Sequence, residues 1–162
     1  MSCPLKPKNP KYAIRNHLQK GCVFWFDLEE NIDPKISSNK ARLYIILNKY
    51  SQNSPRIIIS PITDRIHCVE NKTDKLKYPN NAPINKIDNS FLDKDSVVLL
   101  DQVYTILKAE LYEEWFVGQI INMLDIDKAI MYNYNLFESI HATYAELLQL
   151  FPSTYKEQYT RT

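Results

Sequence analysis

The chain has only two glycines in 162 residues, Gly21 and Gly118. That excludes a Walker loop and a Rossmann fingerprint, both of which need clustered glycine for close approach to phosphate. The three cysteines, Cys3, Cys22 and Cys68, are odd in number and show no Cys-x-x-Cys spacing. A disulfide framework is ruled out and a zinc ribbon disfavoured. The three histidines, His17, His67 and His141, are far apart in sequence and suggest no metal cluster. No apolar run approaches the roughly 20 residues of a membrane-spanning helix. The opening Met1-Ser2-Cys3-Pro4-Leu5-Lys6 is not followed by a signal-like apolar stretch, so the expected compartment is the cytoplasm, with no membrane partner. No Gly-x-Ser-x-Gly elbow and no internal repeat is present.

What is there is an ordinary globular composition, 44% hydrophobic and 24% charged. The net charge of +1 hides an asymmetry. Residues 1–81 carry fourteen Lys/Arg against seven Asp/Glu, and residues 82–162 carry six against twelve. A basic first half offers a face to phosphates, although strand and helix surfaces alone also produce such a split.

Periodicity places the elements. Pro4, Pro7 and Pro10 among lysines read as an N-terminal arm, and Tyr12–Lys20 as a short helix stopped by Gly21. Cys22–Asp27, Arg42–Asn48, Arg56–Thr63 and Ser96–Gln102 are β-prone runs. Weaker strands are expected near Leu76 and Ile84, at Tyr104–Leu107 and at Trp115–Ile120. Pro61 suggests a bulge or strand end. The polar stretch Glu29–Lys40 is a long loop. From Ile126 the apolar period changes to three and four, through Ile130, Tyr134, Phe137, Ile140, Tyr144, Leu147 and Phe151. Asp125 and Asp127 sit at the favourable helix start. Many short strands followed by helix predict a mainly β fold of the α+β kind, a small half-open barrel closed by a C-terminal helix.

Polar residues flank the buried strands: Arg42 opens one, Thr63-Asp64-Arg65 follow the next, and Asp101-Gln102 follow Val97–Leu100. Strand ends converge on a barrel rim, so these groups can share a cleft; each is also an ordinary solvated strand end. His67 reads either as an acid–base group or as a plain strand-end residue. His141 reads as packing or surface. Cys22 and Cys68 read as small buried apolar residues.

The order of these segments resembles the MazF/PemK toxins. Ser60-Pro61-Ile62-Thr63-Asp64-Arg65-Ile66 resembles their threonine-bearing strand end. The run from Asp95 to Ile106, with its apolar strand, Asp101-Gln102 pair and Thr105-Ile106 turn, resembles their second signature. Gly21–Leu28 is similar to their opening strand, and Arg42 falls where they carry an arginine after a long loop. The likeness covers roughly 20–138, leaving an arm at 1–19 and a helical extension at 139–162. It departs at Cys22, Leu43 and Tyr104, where the family commonly has an acid, a proline and an arginine.

The resemblance implies an SH3-like or CcdB-like barrel that forms a homodimer. It implies an endoribonuclease that cuts single-stranded RNA at short sequences without metal or other cofactor, inhibits growth by degrading mRNA, and is neutralised by a cognate antitoxin, a small acidic protein. It puts Arg42 and Thr63 in catalytic positions, and makes Asp64, Arg65, Asp101 and Gln102 active-site or RNA-contacting positions. Chemically, Arg42 stabilises phosphorane charge and Thr63 donates to the same phosphate. Asp101 is either the local base or a rim carboxylate tethering Arg42. Lys40, Lys49 and Arg56 are candidates for steering phosphates. Tyr104, Tyr44, Phe24 and Trp25 are candidates for stacking on bases, with core packing as the alternative for several of them. Two other functions fit the same fold. One is a gyrase poison resembling CcdB, whose Trp-Gly-Ile ending has no counterpart in Gln158–Thr162. The other is an RNA-binding module without catalysis.

Overall fold

A computed structural model describes residues 17–28, 41–49, 53–70 and 73–136. Most of the expected arm, the loop before Arg42, and the helical extension lie outside the described residues. So do Lys40, His141 and the apolar stripe from Phe137 onward. Over its described part, 17–20, the predicted first helix is irregular chain leading into a turn at Lys20 rather than helix.

Among the described residues seven strands form one curled antiparallel sheet: β1 (Cys22–Phe26), β2 (Arg42–Ile46), β3 (Arg56–Asp64), β4 (Ala82–Ile84), β5 (Ser96–Val98), β6 (Tyr104–Leu107) and β7 (Phe116–Gln119). The order is β4-β5-β3-β2-β1-β7, with β6 also paired to β3. One helix, α1 (Leu124–Asn133), follows and packs against β4. The architecture is thus mostly β, a half-barrel with a helix after its last strand. Among the described residues no helix is long and apolar enough to cross a membrane.

The central strand β3 explains the curl. Its first half, Arg56–Ile59, pairs with β6, and its last residues, Ile62–Asp64, pair with β5 on the same edge. Pro61 sits where the outer partner changes. Its carbonyl accepts the Leu99 N–H at 2.9 Å, so the side of the strand on which proline has no donor faces the β5–β6 turn, where no ladder bond is lost. The expected bulge or strand end is therefore a change of neighbour, and the strand continues to Asp64. The expected long strand Ser96–Gln102 is broken after Val98 for the same reason. The fully buried Ser60 hydroxyl donates to the Leu99 carbonyl at 2.7 Å, and Gln102 N–H donates to that carbonyl at 3.0 Å, which turns the chain from β5 into β6.

Alternation along the strands sorts the core into two faces. Phe24, Phe26, Tyr44, Ile46, Ile57, Ile59 and Ile106 gather with Leu111 and Trp115 on one. Val23, Ile45, Ile62, Ala82, Ile84 and Val98 gather with Ile126 and Ala129 of α1 on the other. Gly21 joins the ends of the sheet. It has φ 89°, and a Cβ there would stand 2.3 Å from the Ile120 carbonyl oxygen. Only glycine accepts that conformation at that distance. Lys20 Nζ reaches the Asp127 carboxylate at 2.6 Å, tying this turn to the start of α1.

Candidate active site

Arg42 is exposed at the start of β2, and β1 pairs Phe26 with it. The β2–β3 register pairs Ile46 with Ile59, Ile45 with Ser60 and Tyr44 with Pro61. Carried two residues further, it sets Arg42 opposite Thr63. Directly opposed residues of antiparallel strands share a face, with Cβ atoms about 4.5–5.5 Å apart. The guanidinium and hydroxyl that are 21 positions apart in the chain therefore belong to one end of one face. β2 and β3 are immediate neighbours in the sheet.

Beneath this pair lies an aromatic floor. Tyr44 is 5% exposed, and its ring stands edge-on to Phe26 and to Tyr104, with centroids 6.0 and 6.5 Å apart. Burial pushes the Tyr44 phenol up to about 12. Tyr104 adds to the rise, Arg42 opposes it, and Asp27 adds again. Arg42, Asp27 and Tyr104 thus all act on this one hydroxyl. Asp27, the residue after β1, was not singled out as a site residue by the sequence, because the groups around it come from three strands.

The other predicted residues divide. Gln102 and Tyr104 are half-buried in and after the β5–β6 turn, and Asp101 is exposed in that turn. Tyr104 pairs with Ile59 and so lies on the Arg42 face. Asp64, next to Thr63, alternates to the other face. Its carboxylate lies 2.5 Å from Lys94 Nζ and 3.9 Å from His67 Nε2. Arg65 reaches away from Arg42: its guanidinium donates to the Asp74 carbonyl at 3.2 Å and carboxylate at 3.3 Å, and its Nε is buried without a partner. Burial raises the Cys68 thiol above its ordinary range, Lys77 opposes this, and Asp101 and Asp64 add to it, which places both acids near Cys68.

Two expectations do not survive the geometry. Lys49 follows β2 and Arg56 begins β3, so both sit at the end of the sheet opposite Arg42 and Thr63. Eight residue steps of strand, about 26 Å, separate Arg56 from Asp64. Phe24 and Tyr44 are 1% and 5% exposed and are core side chains rather than stacking surfaces. Trp25 and Tyr104 remain half-exposed. Among the described residues no group of three or more His, Cys, Asp or Glu is placed to hold a metal ion.

The chain is similar to known proteins in sequence and in fold. The sequence pattern of the PemK-like, MazF-like toxins of type II toxin–antitoxin systems matches residues 19–133. An endoribonuclease MazF of Staphylococcus epidermidis is 37% identical over 83 residues, which is 51% of this chain and 60% of that protein. The aligned part thus spans about three-fifths of that relative's length. Two mycobacterial endoribonucleases share the fold. One, solved in complex with its cognate antitoxin, is 18% identical, with 73% of this chain and 95% of that chain covered and a TM-score of 0.51. The other is 17% identical, with 74% and 93% covered and a TM-score of 0.50.

Proposed function

The chain belongs to the PemK-like, MazF-like toxin family of type II toxin–antitoxin systems, and on that premise we propose that it is a toxin endoribonuclease that cuts single-stranded RNA. The observation that supports this reading is the β2–β3 register, which pairs Tyr44 with Pro61 and, continued two residues, brings Arg42 and Thr63 to the same end of the sheet. A fork of guanidinium donors beside a hydroxyl is a phosphate clamp.

RNA brings its own nucleophile. The 2′-oxygen loses its proton to a base and attacks the adjacent phosphorus. The bond to the 5′-oxygen breaks, and that oxygen takes up a proton. The products are a 2′,3′-cyclic phosphate and a 5′-hydroxyl, and the route requires no metal. Arg42 stays protonated and meets the charge that builds on the non-bridging oxygens. Thr63 donates to the same group, a contribution worth roughly 10²–10³ in rate for one oriented donor. Tyr104 and Gln102 supply stacking and hydrogen bonds to neighbouring bases, and Lys40 adds positive charge just before Arg42. Asp64 and Arg65 hold the β3 end through Lys94 and Asp74. The protein works as a cytoplasmic homodimer, and its antitoxin is a small acidic protein that covers the Arg42 end of the sheet.

The test is a long unstructured RNA incubated with purified protein in EDTA. The wild type cuts it, and Arg42→Ala and Thr63→Ala, both folded, each lose at least about a hundredfold. Undiminished cutting by both folded variants overturns the site, and an intact RNA with the wild type overturns the activity.

A further inference from the structure

α1 has two apolar faces, and the core covers one of them. Ile126 and Ala129 are buried, and Met123 and Ile130 pack partly against the same cluster. At 3.6 residues per turn, Leu124, Lys128 and Tyr132 line the opposite side. Leu124 is 57% exposed, Tyr132 is 53% exposed, and Ile121, just ahead of the helix, is 90% exposed. Apolar side chains aligned in a stripe, rather than scattered singly, mark a contact surface. The helix then ends in a turn that takes the chain off its axis. Asn135 has φ 50°, its N–H donates to the Tyr132 carbonyl at 3.2 Å, and the Leu136 N–H donates to the Met131 carbonyl at 2.9 Å. These are the two bonds of a Schellman close, with asparagine in the left-handed position. The apolar period that runs through the sequence from Ile126 to Phe151 is therefore broken at Asn135.

We infer that residues 137–151, which lie beyond the described residues, form a second helix that packs antiparallel on this outer stripe of α1. Phe137, Ile140, Tyr144, Leu147 and Phe151 recur at three and four by turns, the spacing of a seam that faces one partner helix. Leu148 joins them, while Glu138, Glu146 and Gln149 fall on the far side. A helix of this length is marginal alone in water and needs to bury such a face. α1 supplies the adjacent one, because helices joined by a short turn lie side by side and antiparallel. A hairpin closed at Asn135-Leu136 also fixes the register, since residues equally far from the turn come opposite each other. Ile140 then meets Tyr132, Tyr144 meets Lys128, Leu147 and Leu148 meet Leu124, and Phe151 meets Ile121. The one charged member, Lys128, is set against a phenol ring, along which its stem packs while its ammonium reaches water. Length agrees as well. Phe137 to Phe151 is about 21 Å of helix, and Pro152 ends it where the outer stripe runs out at Ile121. Two copies of α1 joined by a two-fold axis through the middle of this stripe would set Lys128 against Lys128, a repulsion that the C-terminal segment avoids.

The experiment is disulfide trapping in the full-length protein carrying Cys3→Ser, in which Cys22 and Cys68 stay buried. Leu124→Cys is combined with Leu147→Cys or, in a second protein, with Glu146→Cys, and each is oxidised mildly at low protein concentration. The Leu147 pair is expected to close within one chain at least about tenfold faster than the Glu146 pair, whose side chain starts from the far side of the helix and misses the Cβ spacing that a disulfide needs. Equal rates in the two pairs overturn the inference, because an undocked segment has no preferred side. A covalent dimer from the Leu147 pair overturns it too, by putting a second copy on the stripe. Hydrogen exchange of the unmodified chain is the second arm, and it does not depend on the cysteine variants. Amides of residues 140–151 are expected to exchange at least about tenfold slower than in an unstructured chain. Leu124→Asp with Tyr132→Asp, both at exposed positions, releases them while the amides of β3 and β5 keep their protection. Exchange at the unstructured rate in the wild type, or protection unmoved by the double variant, overturns the docking.

Discussion

Tyr44 meets Tyr104 edge to face across β2, β3 and β6, with 6.5 Å between ring centroids. The Tyr44 phenol is buried there, with Arg42 lowering and Asp27 raising its proton affinity. Its proton is therefore retained well past the ordinary range, to about 12, chiefly because burial disfavours the phenolate.

This makes stability depend on alkaline pH, and the sign can be worked out. The unfolded chain releases the Tyr44 proton near pH 10, whereas the folded protein holds it to about 12. Between those values the folded state binds more protons, so unfolding becomes easier as pH rises. The contribution is intact below pH 10 and its loss reaches about 2–3 kcal/mol by pH 12. Urea unfolding at pH 8, 10 and 11.5 measures it. Tyr44→Phe is expected to decline less steeply than the wild type over that range. Parallel curves would show that the phenol titrates normally.

The Ser60 hydroxyl gives a second expectation. It is fully buried and donates to the Leu99 carbonyl at 2.7 Å, and that carbonyl also accepts Gln102 N–H. Ser60→Ala removes one of two bonds to that oxygen and strands no acceptor. The expected cost is about 1 kcal/mol, seen as a lower urea midpoint at constant slope. Amide exchange at Gln102 should quicken, because the turn that carries it loses an anchor. A loss of more than about 3 kcal/mol would mean that the hydroxyl supports the core beyond this turn.

That turn also marks where the sequence stopped being informative. Cys22–Phe26 and Arg56–Ile59 were legible as strands because aromatic and β-branched residues suit a pleated, half-buried surface. Ile126 and Ile130, with Asp125 and Asp127 at the helix start, likewise marked α1. Ser96–Gln102 carries the same local signal, but a bond from Leu99 to Pro61, 38 positions earlier, breaks it. No window within the run contains that information. Arg42, Lys49 and Arg56 looked alike as basic residues beside strands. Register alone separates them, since antiparallel neighbours place Lys49 and Arg56 at the opposite end from Arg42. Arg65 looked available until the fold brought Asp74 to its guanidinium.

The last expectation concerns how rigidly β1 is held. Gly118 of β7 pairs with Val23 of β1, and the Phe91 ring lies directly over it. A Cβ at 118 would meet Phe91 Cδ1 at 2.3 Å and Cγ at 2.5 Å. Spinning the ring cannot relieve a clash at Cγ, because that atom is the root of the ring. The whole side chain must leave its place against the second core cluster, to which it contributes as a partly buried hydrophobe. Gly118→Ala is therefore expected to cost about 1–3 kcal/mol, the range for overfilling a packed site. Phe91→Ala costs something of its own through lost burial, but it empties the space that the new methyl needs. The double variant should then be more stable than the two single costs predict, by about 0.5–3 kcal/mol. Simple additivity in urea unfolding would mean that the ring does not cover the glycine in solution.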